Sequence, residues 1–281
     1  MNQLSLDELK QKAGGIRRDI VEMVWRAGSG HIGGSLSLVD IAVALYYRIL
    51  NIDPGRPGWE ERDRIVLSKG HAGACLYAVL SDRGFFERQR LWDEFIRTDS
   101  RLPEHPSMRD VPGIDMSTGS LGQGVSAAVG MAWAARYLGK SLRVFAIMGC
   151  GEQQEGQVWE AAMAAAHHRL GNLTAVIDYN DLQVSGPTSC VLDISPLPEK
   201  YKAFGWIVSE VDGHDFAGLI AALETRKSDE KPHVVVAHTT KGKGISFMEG
   251  AVPYHATTLT RDQYEQAARE LGPLREEGRG R

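Results

Sequence analysis

The sequence predicts an α/β fold, a doubly wound and mostly parallel sheet with helices on both faces. Short β-branched, apolar stretches alternate along the chain with longer helical stretches, which is the order that βαβ crossovers produce. The predicted strands are also nearly continuous in apolar character, as expected for strands that are buried on both faces of a parallel sheet.

The alternation runs along most of the chain. The predicted strands are Arg64–Ser68, Arg143–Met148, Thr174–Asp178, Trp206–Val211 and His233–His238. The predicted helices are the polar N-terminal stretch Met1–Lys12 and then Leu38–Leu50, Ala72–Ser81, Gly122–Leu138, Val158–Arg169 and Phe216–Glu224. These elements predict one domain over residues 1–272, followed by a charged, glycine-rich tail, 273–281, that we expect to be flexible.

One predicted loop stands out by its length. Lys241–His255 is rich in glycine and polar residues, and long loops in compact domains are often functional.

Composition and charge narrow the class of partner. The net charge is −4, from 32 Lys and Arg against 36 Asp and Glu, so no basic field is expected to recruit nucleic acid or an anionic membrane. No apolar run is expected to reach the roughly 20 residues that span a bilayer, and the polar N-terminus does not resemble a signal peptide. The odd number and wide spacing of Cys75, Cys150 and Cys190 favour a reducing cytoplasm over a disulfide framework.

Polar residues follow two predicted strands at the edge where ligands bind in doubly wound sheets. Gly149-Cys150-Gly151 links one strand to a helix that begins near Gly156. Glycine lets a backbone approach a phosphate, and a helix N-terminus offers free N–H groups to an anion. Asp178 and Asn180 end the next strand, and their spacing of two places them on one side. The alternative is a tight turn without a ligand, because short glycine motifs often match by chance.

Further segments give this edge a wider context. They are Ser29–Ser35, Leu67–Ala72, Leu102–Pro106, Ser117–Gly124 and Thr239–Gly244, the last followed by Tyr254-His255. In order and spacing, these segments together with Gly149–Gly156 and Asn180 resemble transketolase, and more narrowly the N-terminal subunit of the split transketolases. The resemblance runs from about Leu9 to about Gly272. It is specific as a set, whereas no single segment is.

The resemblance implies a thiamine diphosphate site. In the family the cofactor lies between a diphosphate-binding domain and the pyrimidine-binding domain of a neighbouring protomer, and this chain covers only the first. It implies contacts to the diphosphate from His71, Gly151 and His255, with Asn180 and the Leu182 carbonyl binding Mg²⁺. It also implies that Gly119 and Leu121 lie against the cofactor rings. It implies further that His31, His105 and His255 face the sugar donor, with Lys69 and Lys241 nearby. Glu155 would lie near the protomer contact beside the cofactor.

Histidine is suited to such a reaction. Ketol transfer develops and quenches alkoxides at sugar hydroxyls, and histidines with a pKa near neutral can shuttle those protons. The alternative for any one histidine is a structural role, which we assign to His167 and His168 because they lie late in a predicted helix. Lys69 and Lys241 have a similar alternative as solvated surface charges.

Cys150 departs from the family, which has an aspartate as metal ligand at this place. Mg²⁺ prefers hard oxygen ligands, whereas a thiol is soft. Water or a nearby carboxylate, Asp178 or Glu152, can fill the place and leave Mg²⁺ weakly bound. A softer ion can be preferred instead. In the third case the chain no longer holds the cofactor and serves a partner structurally.

The implied function is that of a transketolase subunit that moves a two-carbon ketol unit between sugars or sugar phosphates. It would act only with a partner chain that carries the pyrimidine-binding domain, as an α₂β₂ assembly. The α subunit of a 2-oxo acid dehydrogenase is an alternative, but the segments at Ser29–His31, Ser68–His71 and Thr118–Gln123 favour transketolase. The relative that makes deoxyxylulose phosphate usually carries both domains in one chain, and a degenerate partner subunit is the non-enzyme alternative.

Overall fold

A five-stranded parallel sheet lies at the centre of the chain, with strand order β1-β2-β3-β7-β6. The computed structural model describes residues 3–224 and 230–273. A two-stranded antiparallel hairpin, β4 with β5, follows the third strand. The strands are β1 Arg64–Leu67, β2 Val144–Gly149, β3 Leu173–Tyr179, β4 Leu182–Gln183, β5 Gly186–Pro187, β6 Ile207–Asp212 and β7 His233–His238.

Helices precede, connect and follow the strands. They are α1 Leu6–Ala27, α2 Ile32–Ala44, α3 Gly73–Asp82, α4 Gln89–Glu94, α5 Gln123–Tyr137, α6 Gly156–His167, α7 Thr188–Val191, α8 Leu197–Ala203, α9 Phe216–Glu224 and α10 Arg261–Leu271. Short 3₁₀ turns lie at Gly70–Ala72, Gly151–Gln154 and Val252–Tyr254.

The sheet separates two apolar cores. Successive strand residues point to opposite faces, so Ile65 and Phe145 join one core while Val66 and Ala146 join the other. The first core contains residues of α1, α2, α3 and α9, and the second contains residues of α5, α6 and α8. The predicted doubly wound, parallel fold is therefore confirmed, and each predicted strand lies within one residue of an observed strand.

The N-terminal helix is longer than predicted. It starts with a capping box between Ser5 and Glu8 and ends where Gly28 takes a φ of 72°. Its buried residues Leu9, Ala13, Ile16 and Ile20 recur at helical spacing well beyond Lys12, where the prediction stopped. The predictions also missed α10, a strongly polar helix in which Ala267 is the one buried residue.

The expectation that no apolar run reaches the length of a membrane span is wrong for the second helix and the turn that follows it. Ile32–Ile49, which includes a π-helical turn at Leu45–Ile49, is long and apolar enough to cross a bilayer by length and composition alone. However, 89% of this stretch is buried inside the fold, because α1 and α3 pack around it. It is therefore the central core helix.

The predicted tail, 273–281, lies outside the described residues except for Pro273. All three cysteines are free thiols; Cys75 and Cys150 are buried and Cys190 is exposed.

Candidate active site

A cavity of about 180 Å³ opens beyond the carboxyl ends of the parallel strands. The chain that leaves β1, β2, β3 and β7 supplies most of its wall, as expected for a ligand site in a doubly wound sheet. The lining residues are Gly34, Lys69, His71, Leu121, Gly149, Cys150, Gly151, Glu152, Gln154, Glu155, Asn180, Leu182, Gln183, Val184, Lys241 and His255.

A buried ion pair lies at the floor of this site. Lys69 Nζ is 2.5 Å from Asp178 Oδ2 and also donates to the Gly34 carbonyl at 3.0 Å. Ser37 donates to Asp178 Oδ2 at 2.6 Å, and Thr239 donates to Oδ1. Burial alone would raise the pKa of Asp178, but the Lys69 ammonium and these hydrogen bonds hold it below its ordinary value. Lys69 is 1% exposed, so it is not a surface charge.

We expect Lys69→Met to lower the free energy of unfolding by about 3–5 kcal/mol, because it leaves the buried Asp178 carboxylate without its counter-charge. Urea denaturation measures this loss. Lys140→Met is the matched control, because Lys140 pairs with Glu60 and Glu61 at the surface, and it should leave unfolding nearly unchanged. A loss for Lys69→Met as small as for the control would mean that Ser37 and Thr239 alone satisfy Asp178.

A second buried carboxylate joins three of the loops. Glu152 Oε1 accepts from the Ser68 hydroxyl at 2.5 Å and from the Gly122 amide at 2.9 Å, while Oε2 accepts from the Gly149 amide at 3.0 Å. Burial raises its pKa despite these bonds. The oxygens of both Glu152 and Asp178 thus take part in internal hydrogen bonds.

Cys150 lies where the sequence predicted, in the turn between β2 and α6. Its side chain is 2% exposed, and Sγ is 3.7 Å from Asn180 Oδ1. Burial and the negative charge of Asp178 raise the pKa of the thiol, which is therefore neutral at neutral pH. Asn180 also donates to the Ser37 hydroxyl at 3.3 Å, so it shares a side with Asp178, as its spacing predicted.

The two oxygens that the resemblance assigns to the metal, Asn180 Oδ1 and the Leu182 carbonyl, belong to residues that line the cavity beside Cys150. Lys241 Nζ donates to the Leu182 carbonyl at 3.2 Å. Within residues 3–224 and 230–273, no group of three or more His, Cys, Asp or Glu side chains could hold a metal ion. Two oxygens and a buried thiol do not meet the octahedral oxygen preference of Mg²⁺.

Lys241 brings a positive charge to the cavity although its side chain is buried. Its Nζ is 2.7 Å from Nδ1 of His255. Burial and the charge of Lys69 lower the pKa of Lys241 to about 8, so it remains mostly cationic at pH 7. Burial and the charge of Lys241 lower the pKa of His255 to about 3, and the pKa of His71 is also lowered well below its ordinary value, chiefly by burial.

Both histidines are therefore neutral at pH 7. His255 therefore differs from the histidines with a pKa near neutral that suit proton shuttling, because burial and a neighbouring ammonium disfavour its charged form.

Four predicted histidines form one cluster. The ring centroid of His31 lies 5.4 Å from that of His71, 5.9 Å from that of His105 and 5.3 Å from that of His255. His71 and His255 line the cavity, whereas His31 and His105 lie beside it. The cluster extends from the cavity wall to His31 and His105, which lie beside the cavity.

Three residues of the predicted cofactor site and the start of α6 lie at the cavity. Gly151, Leu121 and Glu155 line the cavity, and α6 begins at Gly156 directly after them. Gly119 has a φ of 155°, and a Cβ there would come within 3.1 Å of His105. His167 and His168 are exposed at the far end of α6, opposite the site, in agreement with a structural assignment.

Sequence reasoning missed several partners of these groups. Glu104 Oε1 forms a hydrogen bond of 2.7 Å with His31 Nδ1. The hydroxyls of Ser37 and Thr239 donate to Asp178. Glu104 stands next to His105 in the quoted proline segment, so a carboxylate beside a candidate histidine was a signal that could have revealed it. Ser37 lies inside an apolar helix, where nothing in the local pattern distinguishes it.

The chain is similar in sequence to known proteins. A sequence model described as the thiamine diphosphate binding domain of transketolase matches residues 9–277. The chain is 45% identical over 272 residues to the 6-deoxy-6-sulfo-D-fructose transketolase subunit of Clostridium sp. (strain MSTE9), covering 96% of this chain and 98% of that one. It is 42% identical over 256 residues to an apulose-4-phosphate transketolase subunit of Phocaeicola vulgatus, covering 91% and 90%.

The same relationship holds in three dimensions. The crystal structure of transketolase from Campylobacter jejuni superposes with a TM-score of 0.90 at 32% identity, over 96% of this chain but 43% of that one. The predicted fold and the resemblance are both confirmed. The chain belongs to the transketolase family, in its thiamine diphosphate-binding domain, and is similar over nearly its whole length to relatives named as separate transketolase subunits.

Proposed function

We propose that the chain is the diphosphate-binding subunit of a split transketolase, which transfers a two-carbon ketol unit between sugars or sugar phosphates. The observation that carries this proposal is the cluster of four histidines beside a glycine-lined, lysine-bearing cavity at the carboxyl edge of the sheet. The missing pyrimidine-binding domain would come from a partner chain in an α₂β₂ complex, which we place in the cytoplasm in keeping with three free thiols.

The cavity fits the diphosphate end of the cofactor. Lys241 supplies a positive charge, and His71 and His255 supply neutral ring N–H groups. Gly34 and Gly151 keep the wall open, because a Cβ on Gly151 would come within 3.0 Å of Gln183. These residues would hold the diphosphate beside the start of α6, where a helix N-terminus favours an anion. When bound, thiamine diphosphate supplies the carbanion chemistry of ketol transfer.

The outer histidines would handle the sugar. A hydrogen bond from His31 Nδ1 to Glu104 leaves the other ring nitrogen, Nε2, as a proton acceptor for a donor hydroxyl. His105 lies on the same outer side, with its ring centroid 5.9 Å from that of His31, and a Cβ on Gly119 would come within 3.1 Å of its ring. Two separate imidazoles can serve two hydroxyls, which suits a reaction that moves protons at both carbons of the cleaved bond.

We expect the site to bind its metal ion weakly. Mg²⁺ would rely on Asn180 and the Leu182 carbonyl together with diphosphate oxygens and water, because Cys150 offers a neutral, soft sulfur. Weak Mg²⁺ binding is the outcome that we propose. The same thiol is the observation that favours the second candidate, a degenerate subunit that stabilises a partner without holding the cofactor.

A cofactor titration of the complex with its partner chain tests these candidates. We expect Cys150→Asp to tighten Mg²⁺-dependent binding of thiamine diphosphate by at least about tenfold, roughly 1.4 kcal/mol, because it adds a hard ligand and a negative charge. Isothermal titration with and without Mg²⁺ measures this for both proteins, and Cys190→Asp is the control because Cys190 is exposed outside the cavity.

The other outcomes separate the alternatives. Equal metal dependence in the unmodified protein and in Cys150→Asp would show that another group already completes the metal site. Absence of binding by both proteins in the presence of the partner chain would favour the degenerate subunit.

The sugars are proposed as a class. The two relatives above are named for 6-deoxy-6-sulfo-D-fructose and for apulose 4-phosphate. Both names describe a sugar that carries an anionic group, and we extend that class to this chain. The similarity to transketolases over nearly the whole chain disfavours the 2-oxo acid dehydrogenase alternative.

A further inference from the structure

A turn outside the cavity packs against the loop that carries Lys241 and forms hydrogen bonds with the chain at its start. The turn is Asp212-Gly213-His214, between β6 and α9, and it packs against the end of β7. The Gly213 amide donates to the His238 carbonyl at 2.7 Å. A Cβ on Gly213 would lie 2.4 Å from the Thr239 side chain, so glycine is required for this close approach.

Both ring nitrogens of His214 are engaged. Nε2 is 2.8 Å from the Thr240 backbone nitrogen, and because an amide N–H can only donate, Nε2 must be the unprotonated acceptor. Nδ1 is 2.6 Å from Asp40 Oδ2 and therefore carries the proton that it donates to this carboxylate. The geometry specifies one neutral tautomer, which bridges helix α2 and the loop after β7.

Asp40 is itself fixed on the other side. Arg17 forms a two-pronged pair with it, with Nη2 at 2.5 Å from Oδ2 and Nη1 at 3.2 Å from Oδ1. Burial would raise the pKa of Asp40, but the hydrogen bond from His214 and the Arg17 charge hold it below its ordinary value. His214 is thus anchored to a charged pair inside the core rather than to a mobile side chain.

The far end of this chain of contacts is the cavity. Thr239 donates to Asp178, Thr240 donates to His214, and the Gly242 amide donates to the Gly33 carbonyl at 3.0 Å. Lys241 lies between these fixed points, 2% exposed, with Nζ bonded to Leu182 and His255. The hydrogen bond from the Thr240 amide to His214 therefore ties the backbone next to Lys241 to a side chain outside the cavity.

We propose that His214 is a positioning residue for Lys241: held by Asp40 in its Nδ1–H tautomer, it fixes the Thr240 amide and so aims the Lys241 ammonium into the diphosphate site. The cofactor part of this inference rests on the function proposed above. The positioning itself belongs to the chain without any ligand and can be tested there.

The test compares His214→Ala with His214→Gln, whose side-chain amide retains one acceptor and one donor. Removing the acceptor leaves a partly buried N–H unsatisfied, so we expect hydrogen exchange at Thr240 and in segment 239–250 of the cofactor-free chain to speed up about tenfold in His214→Ala. In the complex with the partner chain, thiamine diphosphate binding should weaken by about the same factor. His214→Gln should restore most of both losses.

His238→Ala is the matched control. This half-exposed histidine is the last residue of β7, directly before Thr239 and Thr240, and its side chain lies near Glu210. It should change neither readout. Exchange in 239–250 that is unchanged in His214→Ala would overturn the proposal, as would a His214→Gln that behaves like His214→Ala. If the complex of the unmodified chain binds no thiamine diphosphate, the proposed function fails while the exchange result still decides the positioning role.

A measurement on the unmodified chain tests the proposal even if a variant does not fold. Nitrogen chemical shifts of the His214 ring at neutral pH should show a protonated Nδ1 and an unprotonated Nε2. The opposite tautomer would contradict the proposal without any substitution.

Discussion

Ketol transfer is expected only from a mixture of this chain with a partner chain that carries a pyrimidine-binding domain. The purified chain alone should turn over more than about 10⁴-fold more slowly, because the loss of one general acid or base already costs up to about that much. The physical reason lies in how much of the site this chain supplies. It covers 43% of the transketolase from Campylobacter jejuni, and its cavity is formed by groups that we propose to bind the diphosphate.

The assay should run a ketose donor with an aldose acceptor, and a 2-oxo acid in parallel, on the chain, the partner and the mixture. Saturating thiamine diphosphate and Mg²⁺ remove cofactor affinity as an explanation for any difference. Ketol transfer by the single chain would refute the split-enzyme proposal. Turnover of the 2-oxo acid in place of the ketose by the mixture would instead support the 2-oxo acid dehydrogenase alternative.

Most of the sheet was predictable because β1, β2, β3 and β7 are largely buried on both faces, whereas β6 at the sheet edge is partly exposed. In β7 the run 234–237 is apolar and mostly β-branched, which is typical of a strand buried on both faces. Helix α10 was missed for the opposite reason. Its stability comes from a capping box at Thr260 and from contacts such as the stacking of Tyr264 on Trp25, 4.8 Å apart, which link distant parts of the chain. The Thr260/Gln263 capping box and the helical spacing of Tyr264, Ala267 and Leu271 were nevertheless local signals that the prediction overlooked.

The candidate site divides in the same way. His71 and Gly151, in glycine-rich segments, were predicted and line the cavity, whereas His31 and His105 lie beside it. The groups that hold the backbone next to Lys241 were not predicted, because Asp40 and His214 are 174 residues apart and meet only in the folded chain. The charge states were also beyond the sequence. The pKa of about 3 for His255 depends on its burial beside Lys241, which no spacing reveals.

His105→Ala should lower kcat by about 10²–10⁴-fold while changing the affinity of the complex for thiamine diphosphate far less, because His105 lies outside the cavity that fits the diphosphate. Its backbone should survive the change. The Tyr77 hydroxyl donates to the Pro103 carbonyl at 2.8 Å and to the His105 carbonyl at 3.2 Å, and neither bond uses the imidazole. The His105 ring lies close to Gly119, where an added Cβ would be 3.1 Å from it, and its centroid is 5.9 Å from that of the His31 ring.

Two further variants show whether proton transfer is the cause of the lost turnover. His105→Asn keeps a hydrogen-bonding group but no titrating nitrogen, so it should be nearly as slow as His105→Ala. His168→Ala removes an exposed histidine at the far end of α6 and should keep full activity. Steady-state rates and cofactor titrations on the reconstituted complexes give kcat and affinity separately. An unchanged kcat in His105→Ala would return this histidine to a structural role. A fall in cofactor affinity as large as the fall in kcat would show that the ring packs against the cofactor rather than exchanging protons with the sugar.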